Sequence, residues 1–425
     1  MPGEWAFMAR ASAWRGCLPS STGPAVRVAG RDWGFPTRPH HGPGCCSSST
    51  SQTRHVASST SMWQQDRVLA DGAFVPAPSP PVASPLAPAH GRVPSFVPAA
   101  PPVAPAALQA LEDFVAAHPG VLVVTGAGVS TESRIPDYRS PAGAYSTGFK
   151  PMTHQQFMGS AAARARYWAR SFAGWYRYAG VRPNAAHEGL AALQRRGWLG
   201  GILTQNVDRL HHAAGSGDVL ELHGTTHAVR CMGCGAVTPR VQTQARLAEL
   251  NPEVDALARA LAGAGEGDED PPRHGVDGDR SIDDRDEAFR GREDGSVRVP
   301  VRRPDGDVEL EDAGSGFRVP PCPACGGILK PDVVFFGDSV PKDVAARAQA
   351  AAAACPAMLV VGSSLQVWSA FRLARAAKAA GAPLALLSVG PNRADDLADL
   401  KVEARAGEVL ARLARSPRLL LPHVP

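Results

Sequence analysis

The alternation of apolar and polar positions predicts strands and helices that follow one another through most of the chain. Short apolar runs, typical of buried strands, occupy 121–125, 201–204, 219–222, 357–361 and 384–389. Apolar residues at helical spacing occupy 108–115 and, roughly, 160–179, 185–196, 342–354, 367–380 and 407–414. Because strands that alternate with helices form parallel sheets, we predict a doubly wound, Rossmann-like α/β fold over residues 108–415.

The segments on either side of this periodic region differ from it in composition. Residues 1–60 contain six arginines but only two acidic residues, Glu4 and Asp32, and serine is frequent. This composition is typical of an organelle transit peptide; a disordered tail without a targeting role is the alternative, and composition does not separate mitochondrion from chloroplast. Residues 61–107, rich in Pro and Ala, are expected to form an extended linker, and residues 416–425 a tail.

The overall charge and hydropathy narrow the classes of partner. The 425 residues carry a net charge of +4, which is too small to argue for nucleic acid by itself. No apolar run reaches the roughly 18 residues that a membrane span needs. We therefore expect neither nucleic-acid nor membrane partners, and the sequence does not indicate an oligomeric state.

Four of the eight cysteines have a spacing that is typical of metal sites. Cys231 pairs with Cys234 and Cys322 with Cys325 in two C-x-x-C motifs, each followed by glycine. Four thiolates match a tetrahedral zinc site without an open position, so the zinc would be structural. Chance pairing and a redox role are alternatives, and the redox role is disfavoured because neither pair opens a helix after a strand. We predict a smaller zinc-binding domain, about residues 226–330, inserted in the α/β fold.

A region of low complexity lies between the two cysteine pairs. Residues 263–316 are rich in Gly, Asp and Arg and contain few apolar side chains. Such a segment is expected to be a disordered surface insertion. Because the entropy of loop closure grows only logarithmically with length, the zinc site tolerates this excursion.

A glycine turn follows the first predicted strand. Gly126-Ala127-Gly128 comes directly after 121–125, and such a turn presents backbone N–H groups to a phosphate. A dehydrogenase fingerprint needs a third glycine, where this chain has Thr131, and an acidic residue at the end of the second strand, which is missing. The sequence therefore favours a dinucleotide but disfavours hydride transfer.

Polar residues follow the other predicted strands as well. Gln205-Asn206-Val207-Asp208 follows the second strand, His223 the third, and Gly362-Ser363-Ser364 and Ser388-Val389-Gly390 the last two. The carboxyl ends of parallel strands face one ligand crevice, so these residues are expected to meet there. The ordinary pKa of histidine, near 6.5, suits His223 to general base work. Taken singly, a polar turn and a structural histidine are the alternatives.

These motifs together resemble those of the sirtuins, the NAD-dependent protein deacylases, and they occur in sirtuin order. The resemblance rests on the two cysteine pairs and on 126–145, 205–208, 223–224, 330–337 and 362–367, and it covers about residues 108–415. The amino-acid sequence at 137–140, 166–170 and 333–338 is most similar to that of class II sirtuins, the mitochondrial type.

The resemblance implies an activity, two cofactors and a substrate class. It implies NAD, one structural zinc ion, acyl-lysine protein substrates and a location in the mitochondrial matrix. The acyl carbonyl oxygen would attack C1′ of the nicotinamide ribose, nicotinamide would leave, and the acyl group would pass to ADP-ribose. His223 would act as general base, Asn206 would hold the ribose, and Asp208 would orient the carboxamide.

The resemblance also implies which residues form the binding sites. Those expected to bind the cofactor are Gly126, Ala127, Gly128, Thr131, Pro136, Asp137, Tyr138, Arg139, Tyr145, Gln205, Asn206, Val207, Asp208, Gly362, Ser363, Ser364, Ser388, Val389, Gly390 and Ala406. The substrate peptide would pair, as an added strand, with Val333, Val334, Phe335, Phe336 and Gly337.

The chain departs from the family pattern in the cofactor site. Arg134 replaces a usual glycine, Ser388 stands where many relatives have asparagine, and 405–407 lack a cysteine found near the adenine in class II sirtuins. Each departure is expected to affect NAD affinity and none removes the chemistry.

One helical pair bears on the choice of acyl group. Tyr167 and Arg170 share a helix face and resemble the pair with which desuccinylating sirtuins bind an acidic acyl group. This leads to the hypothesis of a preference for acidic or branched acyl groups over acetyl, with a solvated helix face as the alternative.

Two rival functions follow from the same motifs. Protein ADP-ribosyl transfer shares the loss of nicotinamide with deacylation. A zinc-ribbon binding module without chemistry predicts no NAD binding and leaves the residues at the strand ends unexplained.

Overall fold

The computed structural model describes residues 97–263, 302–308, 310 and 315–422. The expected transit peptide, most of the expected linker and most of the 263–316 insertion lie outside these residues. Within the described part of the chain, no helix is long and apolar enough to span a membrane.

Nine strands and eleven α-helices make up the described part of the chain. The strands are β1 (Val121–Thr125), β2 (Leu199–Thr204), β3 (Val219–Glu221), β4 (Gly224–Cys231), β5 (Val237–Pro239), β6 (Leu329–Val333), β7 (Met358–Val361), β8 (Leu384–Leu387) and β9 (Leu400–Val402). The helices are α1 (Pro105–Ala117), α2 (His154–Gly159), α3 (Ala161–Tyr178), α4 (Ala185–Arg195), α5 (Leu210–Ala213), α6 (Arg240–Leu250), α7 (Pro252–Gly263), α8 (Lys342–Ala354), α9 (Trp368–Ala379), α10 (Ala406–Leu413) and α11 (Pro417–Leu420).

A parallel sheet of six strands confirms the doubly wound fold. Its order is β3-β2-β1-β7-β8-β9, and all of its pairings are parallel. Every residue of β1, β7 and β8 is buried, as expected for strands covered by helices on both faces. Thr125 pairs with both Thr204 and Val361, so β2, β1 and β7 end level with one another. Their carboxyl ends therefore form one edge, on which a site can be built.

The smaller module is built around an antiparallel sheet in the order β5-β4-β6. Its core includes Trp168 and Phe172 of α3, Leu247 of α6 and Leu329 of β6. Arg240, only 1% exposed, lies over the rings of Trp168 and Trp175 and donates to Ser171. Stacking and hydrogen bonds thus compensate the burial of this cation.

The described end of the low-complexity insertion differs from the expectation of a disordered surface. Residues 302–308 (the 302–308 segment) pack against α3, and Arg303 and Asp307 are buried. A Cβ on Gly174 would lie 1.9 Å from the Gly306 carbonyl oxygen, so this close crossing requires a glycine in the helix. The charged composition of this segment did not indicate that it would be buried. Pro304 and Gly306 form a turn that is buried only because it packs against α3, which is distant in sequence.

The two ends of the folded region also differ from the boundaries that were predicted from the sequence. Helix α1 begins at Pro105, inside the expected linker, and Val103 is already buried. In the expected tail, Leu419 of α11 is fully buried, and the Leu421 carbonyl accepts a hydrogen bond from the indole of Trp198. Both segments therefore belong to the folded region.

Candidate active site

A cleft of about 1440 Å³ lies along the carboxyl edge of the parallel sheet. It is larger than the pockets of most small ligands, so it has room for a dinucleotide and an extended peptide. Of the residues that sequence placed in the cofactor, catalytic and substrate sites, all but Pro136 and Arg170 line it. Pro136 is buried behind the cleft wall.

The glycine turn lies in close contact with the end of β7. The Gly128 N–H donates to the Gly362 carbonyl at 2.9 Å, and a Cβ on Gly128 would lie 2.7 Å from the same oxygen. A Cβ on Gly126 would lie 2.8 Å from the Ser363 Cβ. Both glycines are therefore required by close approach, and they leave the cleft open where a pyrophosphate would lie.

A buried hydrogen-bond network joins the loop after β1 to the residues after β2. Ser130 Oγ donates to Asp208 Oδ2 at 2.7 Å and accepts from Asn206 Nδ2 at 3.1 Å. The same amide of Asn206 donates to the Gly126 carbonyl at 3.1 Å, and Asp208 Oδ1 accepts the Leu210 N–H. Burial raises the pKa of Asp208, while these donors oppose the shift. Asn206 and Asp208 thus position the glycine loop as well as line the cleft.

His223 is held between two hydrogen bonds. Its Nδ1 lies 3.0 Å from the Gln205 carbonyl oxygen, and its Nε2 lies 2.9 Å from Ser369 Oγ. A carbonyl only accepts, so we assign the proton to Nδ1 and leave the Nε2 lone pair to accept from Ser369. Burial lowers the pKa of His223 from its ordinary 6.5, although the hydrogen bond to Gln205 opposes this shift. The ring is therefore neutral near pH 7 and can accept a proton at Nε2.

Beyond the glycine turn, the cofactor loop turns back on itself. Asp137 Oδ1 accepts the N–H groups of Arg139 and Ser140, and the Arg139 guanidinium lies over the Tyr145 ring at 5.1 Å. Arg134 has a left-handed backbone, with φ 64°. This conformation explains why glycine is usual there, since it carries no steric cost for glycine.

Two features at the far end of the cleft fit an adenosine. The Ser388 hydroxyl lies at the end of β8, buried and without a hydrogen-bond partner among the described residues, as a group awaiting a ribose hydroxyl would be. Glu132 Oε2 accepts the Gly407 N–H at 2.8 Å, which ties the cofactor loop to the start of α10. Because Gly407 lacks a side chain, the carboxylate reaches this N–H. These residues and the glycine turn fit NAD.

The candidate acyl end of the cleft is aromatic. Tyr167, 4% exposed, contacts the rings of Phe157, Trp168 and Phe335. Arg170 does not share this wall, because its Nε lies 3.8 Å from Asp307 of the 302–308 segment. From the same segment, Asp305 reaches the cleft, and burial raises its pKa. The pair proposed for an acidic acyl group is therefore divided, and the arginine already faces a carboxylate.

The strand expected to bind substrate continues from β6 into the cleft. The Val334 N–H donates to the His223 carbonyl, and the Phe336 carbonyl accepts the His154 N–H. The N–H groups of Phe335 and Gly337 have no backbone acceptor within the described ranges, which leaves them open to an added strand. Lys330 hydrogen-bonds the Val333 carbonyl and lies 3.5 Å from Asp338, which braces the strand from behind.

The four predicted metal ligands come together away from the cleft. The sulfur atoms of Cys231, Cys234, Cys322 and Cys325 all lie within 4.8 Å of one another. Two of the pairs, Cys231–Cys325 and Cys234–Cys322, are 3.4 and 3.9 Å apart. A tetrahedral zinc with Zn–S bonds of about 2.3 Å requires sulfur separations of about 3.8 Å. The donor set fits a closed, structural zinc site.

Several residues of the site were not anticipated from the sequence. They are Ser130, Glu132, Asp305, Trp368, Ser369 and Arg372. Ser130 and Glu132 lie inside the glycine-loop motif, and Ser369 and Arg372 follow the strand-end motif 362–367. Ser130 and Glu132 could have been found within the first motif, and Trp368, Ser369 and Arg372 by extending the second motif into α9. Asp305 gives no signal because its segment is remote in sequence. Outside the cleft, Asn184 caps the start of α4, where its side chain accepts from the N–H groups of Ala186 and His187.

Comparison with known proteins gives a consistent picture. A sequence model of the Sir2 family matches residues 126–369. The chain is 47% identical over 302 residues to the NAD-dependent protein deacylase SRT2 of Arabidopsis thaliana, covering 71% of this chain and 74% of that protein. It is 42% identical over 318 residues to the NAD-dependent protein lipoamidase sirtuin-4, mitochondrial, of Bos taurus, covering 74% and 88%.

Solved structures agree with the fold. A structure described as the basis for the mechanism and regulation of Sir2 enzymes is 26% identical, with a TM-score of 0.51, and covers 74% of this chain and 98% of that one. A Sir2 homologue mutant in complex with ADP-ribose is 25% identical, with a TM-score of 0.50, covering 72% and 95%. The match to the family model, the similarity to known relatives and the fold together show that the chain belongs to the Sir2 family, the sirtuins.

Proposed function

We propose that this protein is an NAD-dependent protein-lysine deacylase. The observation that carries the proposal is His223, whose Nδ1 lies against a carbonyl and whose Nε2 is left to accept a proton in the cleft. Relatives named deacylase, deacetylase and lipoamidase support the same reaction class. NAD supplies the acyl acceptor, the ribose that loses nicotinamide.

The residues at the strand ends have separate roles in this proposal. Gly126 and Gly128 leave space for the pyrophosphate, and Ser388 offers a free hydroxyl to a ribose. Asn206 and Asp208 hold the glycine loop through Ser130, so a change in either would move the loop as well as the contact to the cofactor. His223 takes the proton of a ribose hydroxyl at Nε2, where this hydroxyl replaces Ser369 Oγ as the donor to the lone pair.

The substrate is a protein whose acyl-lysine enters beside Val333–Gly337. The N–H groups of Phe335 and Gly337, which have no backbone acceptor among the described residues, support strand addition, and the aromatic wall around Tyr167 supports an apolar acyl chain. The ion pair of Arg170 with Asp307 argues against a special preference for acidic acyl groups. An organelle is consistent with the plant and mitochondrial relatives. We propose the mitochondrial matrix, with the chloroplast as the alternative.

Product analysis tests the proposed function. Zinc-loaded protein is incubated with NAD and a panel of acyl-lysine peptides, and products are identified by mass spectrometry. O-acyl-ADP-ribose that disappears in His223→Ala is the expected result. Nicotinamide release without deacylated peptide would favour ADP-ribosyl transfer instead. Absence of NAD consumption in folded, zinc-loaded protein would reject both reactions and revive a binding module.

A further inference from the structure

A cluster of cationic and aromatic side chains lies beside the cleft, around the start of α9. Trp368 and Arg372, from the first turns of α9, line the cleft. Trp368 is 52% exposed, an unusual exposure for so large a ring. Arg375 and Arg393 lie over this ring at 5.7 and 5.6 Å, and Arg393 also lies 4.3 Å from the Phe371 ring. We call Arg372, Arg375 and Arg393, with Trp368, the arginine face.

The arginine face has no acidic partner among the described residues. None of its three guanidinium groups forms an ion pair there, and Arg372 Nε has no hydrogen-bond partner. Arg393 spends one donor on the Gln366 carbonyl, which itself lines the cleft. Other cations on α9 behave differently, because Lys378 is paired with Asp399 at 2.8 Å. The face therefore presents unneutralised positive charge at the mouth of the cleft.

The acidic groups beside the substrate strand are already paired with cations. Asp338, which lines the cleft, lies 3.5 Å from Lys330 and 3.2 Å from His154. Asp332 is bound by Arg230 through two hydrogen bonds, at 2.8 and 3.0 Å. A peptide in the cleft would thus meet unpaired positive charge at the arginine face and paired charges beside the substrate strand.

We propose that the arginine face binds acidic residues that flank the acyl-lysine in the protein substrate. The inference rests on the proposed function and narrows its substrates to lysines in acidic sequence context. Guanidinium groups held by an aromatic ring keep their edge donors free and preorganised for carboxylates. Because the face is partly exposed, each contact is expected to change kcat/KM by about 1.5- to 5-fold.

Matched peptides test the inference. Peptides of one acyl-lysine sequence carry Glu, Gln or Lys at each of three positions on either side of the acyl-lysine. We expect the Glu peptides to exceed the Gln peptides by about 1.5- to 5-fold in kcat/KM at one or more positions, and salt to reduce the difference. Arg375→Glu is expected to reverse the preference in favour of Lys, a gain that misfolding does not produce.

A control variant and a binding measurement make the test decisive. Arg166→Glu removes another exposed helical arginine, which neither lines the cleft nor lies over Trp368, and it is expected to keep the preference for Glu. Fluorescence anisotropy of the same peptides gives a readout independent of turnover. Equal values for Glu and Gln peptides in both assays, or a Glu preference that survives Arg375→Glu and Arg372→Glu, would overturn the inference. Tighter binding of Glu peptides without deacylation would instead uphold it and reject the proposed reaction.

Discussion

At the scale of single residues, Ser369 controls how His223 presents its lone pair. Ser369→Ala removes the donor to Nε2, so the ring loses one of its two constraints and we expect kcat/KM to fall about tenfold. Burial lowers the pKa of His223, and the proposed base must be neutral, so activity is expected to be lost as pH falls through a value below 6.5. A pH–rate profile measures both effects, with Ser369→Thr as the variant that restores the donor. Identical profiles for wild type and Ser369→Ala would remove Ser369 from the mechanism.

Arg134 has a backbone conformation that is unfavourable for residues other than glycine. Its left-handed conformation costs a non-glycine residue about 1–2 kcal/mol, which exceeds the roughly 0.5–1 kcal/mol that glycine loses in chain entropy. Arg134→Gly is therefore expected to raise the free energy of unfolding by up to about 1 kcal/mol, and Arg134→Val to lower it. Urea unfolding compares the three proteins, and a less stable glycine variant would show that the contacts of the arginine outweigh the strain.

At the scale of elements, the glycine turn and the end of β7 are in such close contact that an added side chain would disturb the cleft. Gly128→Ala would drive a methyl group to 2.7 Å from the Gly362 carbonyl, so the loop must shift and NAD is expected to bind at least tenfold more weakly. Isothermal titration gives the affinity. Gly217→Ala is the matched control, because no heavy atom of the described residues lies within 4 Å of its Cβ position. Equal affinities for NAD would mean that the loop yields without cost.

The same scale shows what the sequence can and cannot predict. The buried strands β1, β7 and β8 were predictable because a short, continuous apolar run flanked by helices is typical of a buried parallel strand. The three-residue strand β9 was not, since Leu400-Lys401-Val402 is too short to show a period. The 302–308 segment was missed because its burial depends on Gly174, far away in sequence, and not on its own composition.

At the scale of the whole molecule, buried histidines link stability to pH. His187 and His211 are almost fully buried with their rings 4.9 Å apart, and burial lowers the pKa of His187 to about 3. The unfolded chain binds their protons below about pH 6.5 and the folded chain does not, so each lowers stability by about 1.4 kcal/mol per pH unit on acidification. Glu221 opposes this slope, because burial raises its pKa to about 7. His187→Gln should therefore reduce the pH dependence of the free energy of unfolding by about 1.4 kcal/mol per pH unit between about pH 5 and 6.5. Urea unfolding measures this dependence, and an unchanged slope would contradict the assignment.

The zinc site affects the two halves of the cleft unequally. Strand β4 runs from Gly224, directly after His223, to the ligand Cys231, and β6 runs from just after Cys325 into the substrate strand. Loss of the metal releases both strands at one end, whereas the glycine turn is held by the parallel sheet. Chelation, or Cys322→Ser, is therefore expected to weaken binding of acyl-lysine peptide at least tenfold while NAD affinity changes much less. Cys355→Ser, a cysteine outside the cluster, is the control. Parallel loss of both affinities would mean that the zinc-binding module supports the whole fold and not the substrate strand alone.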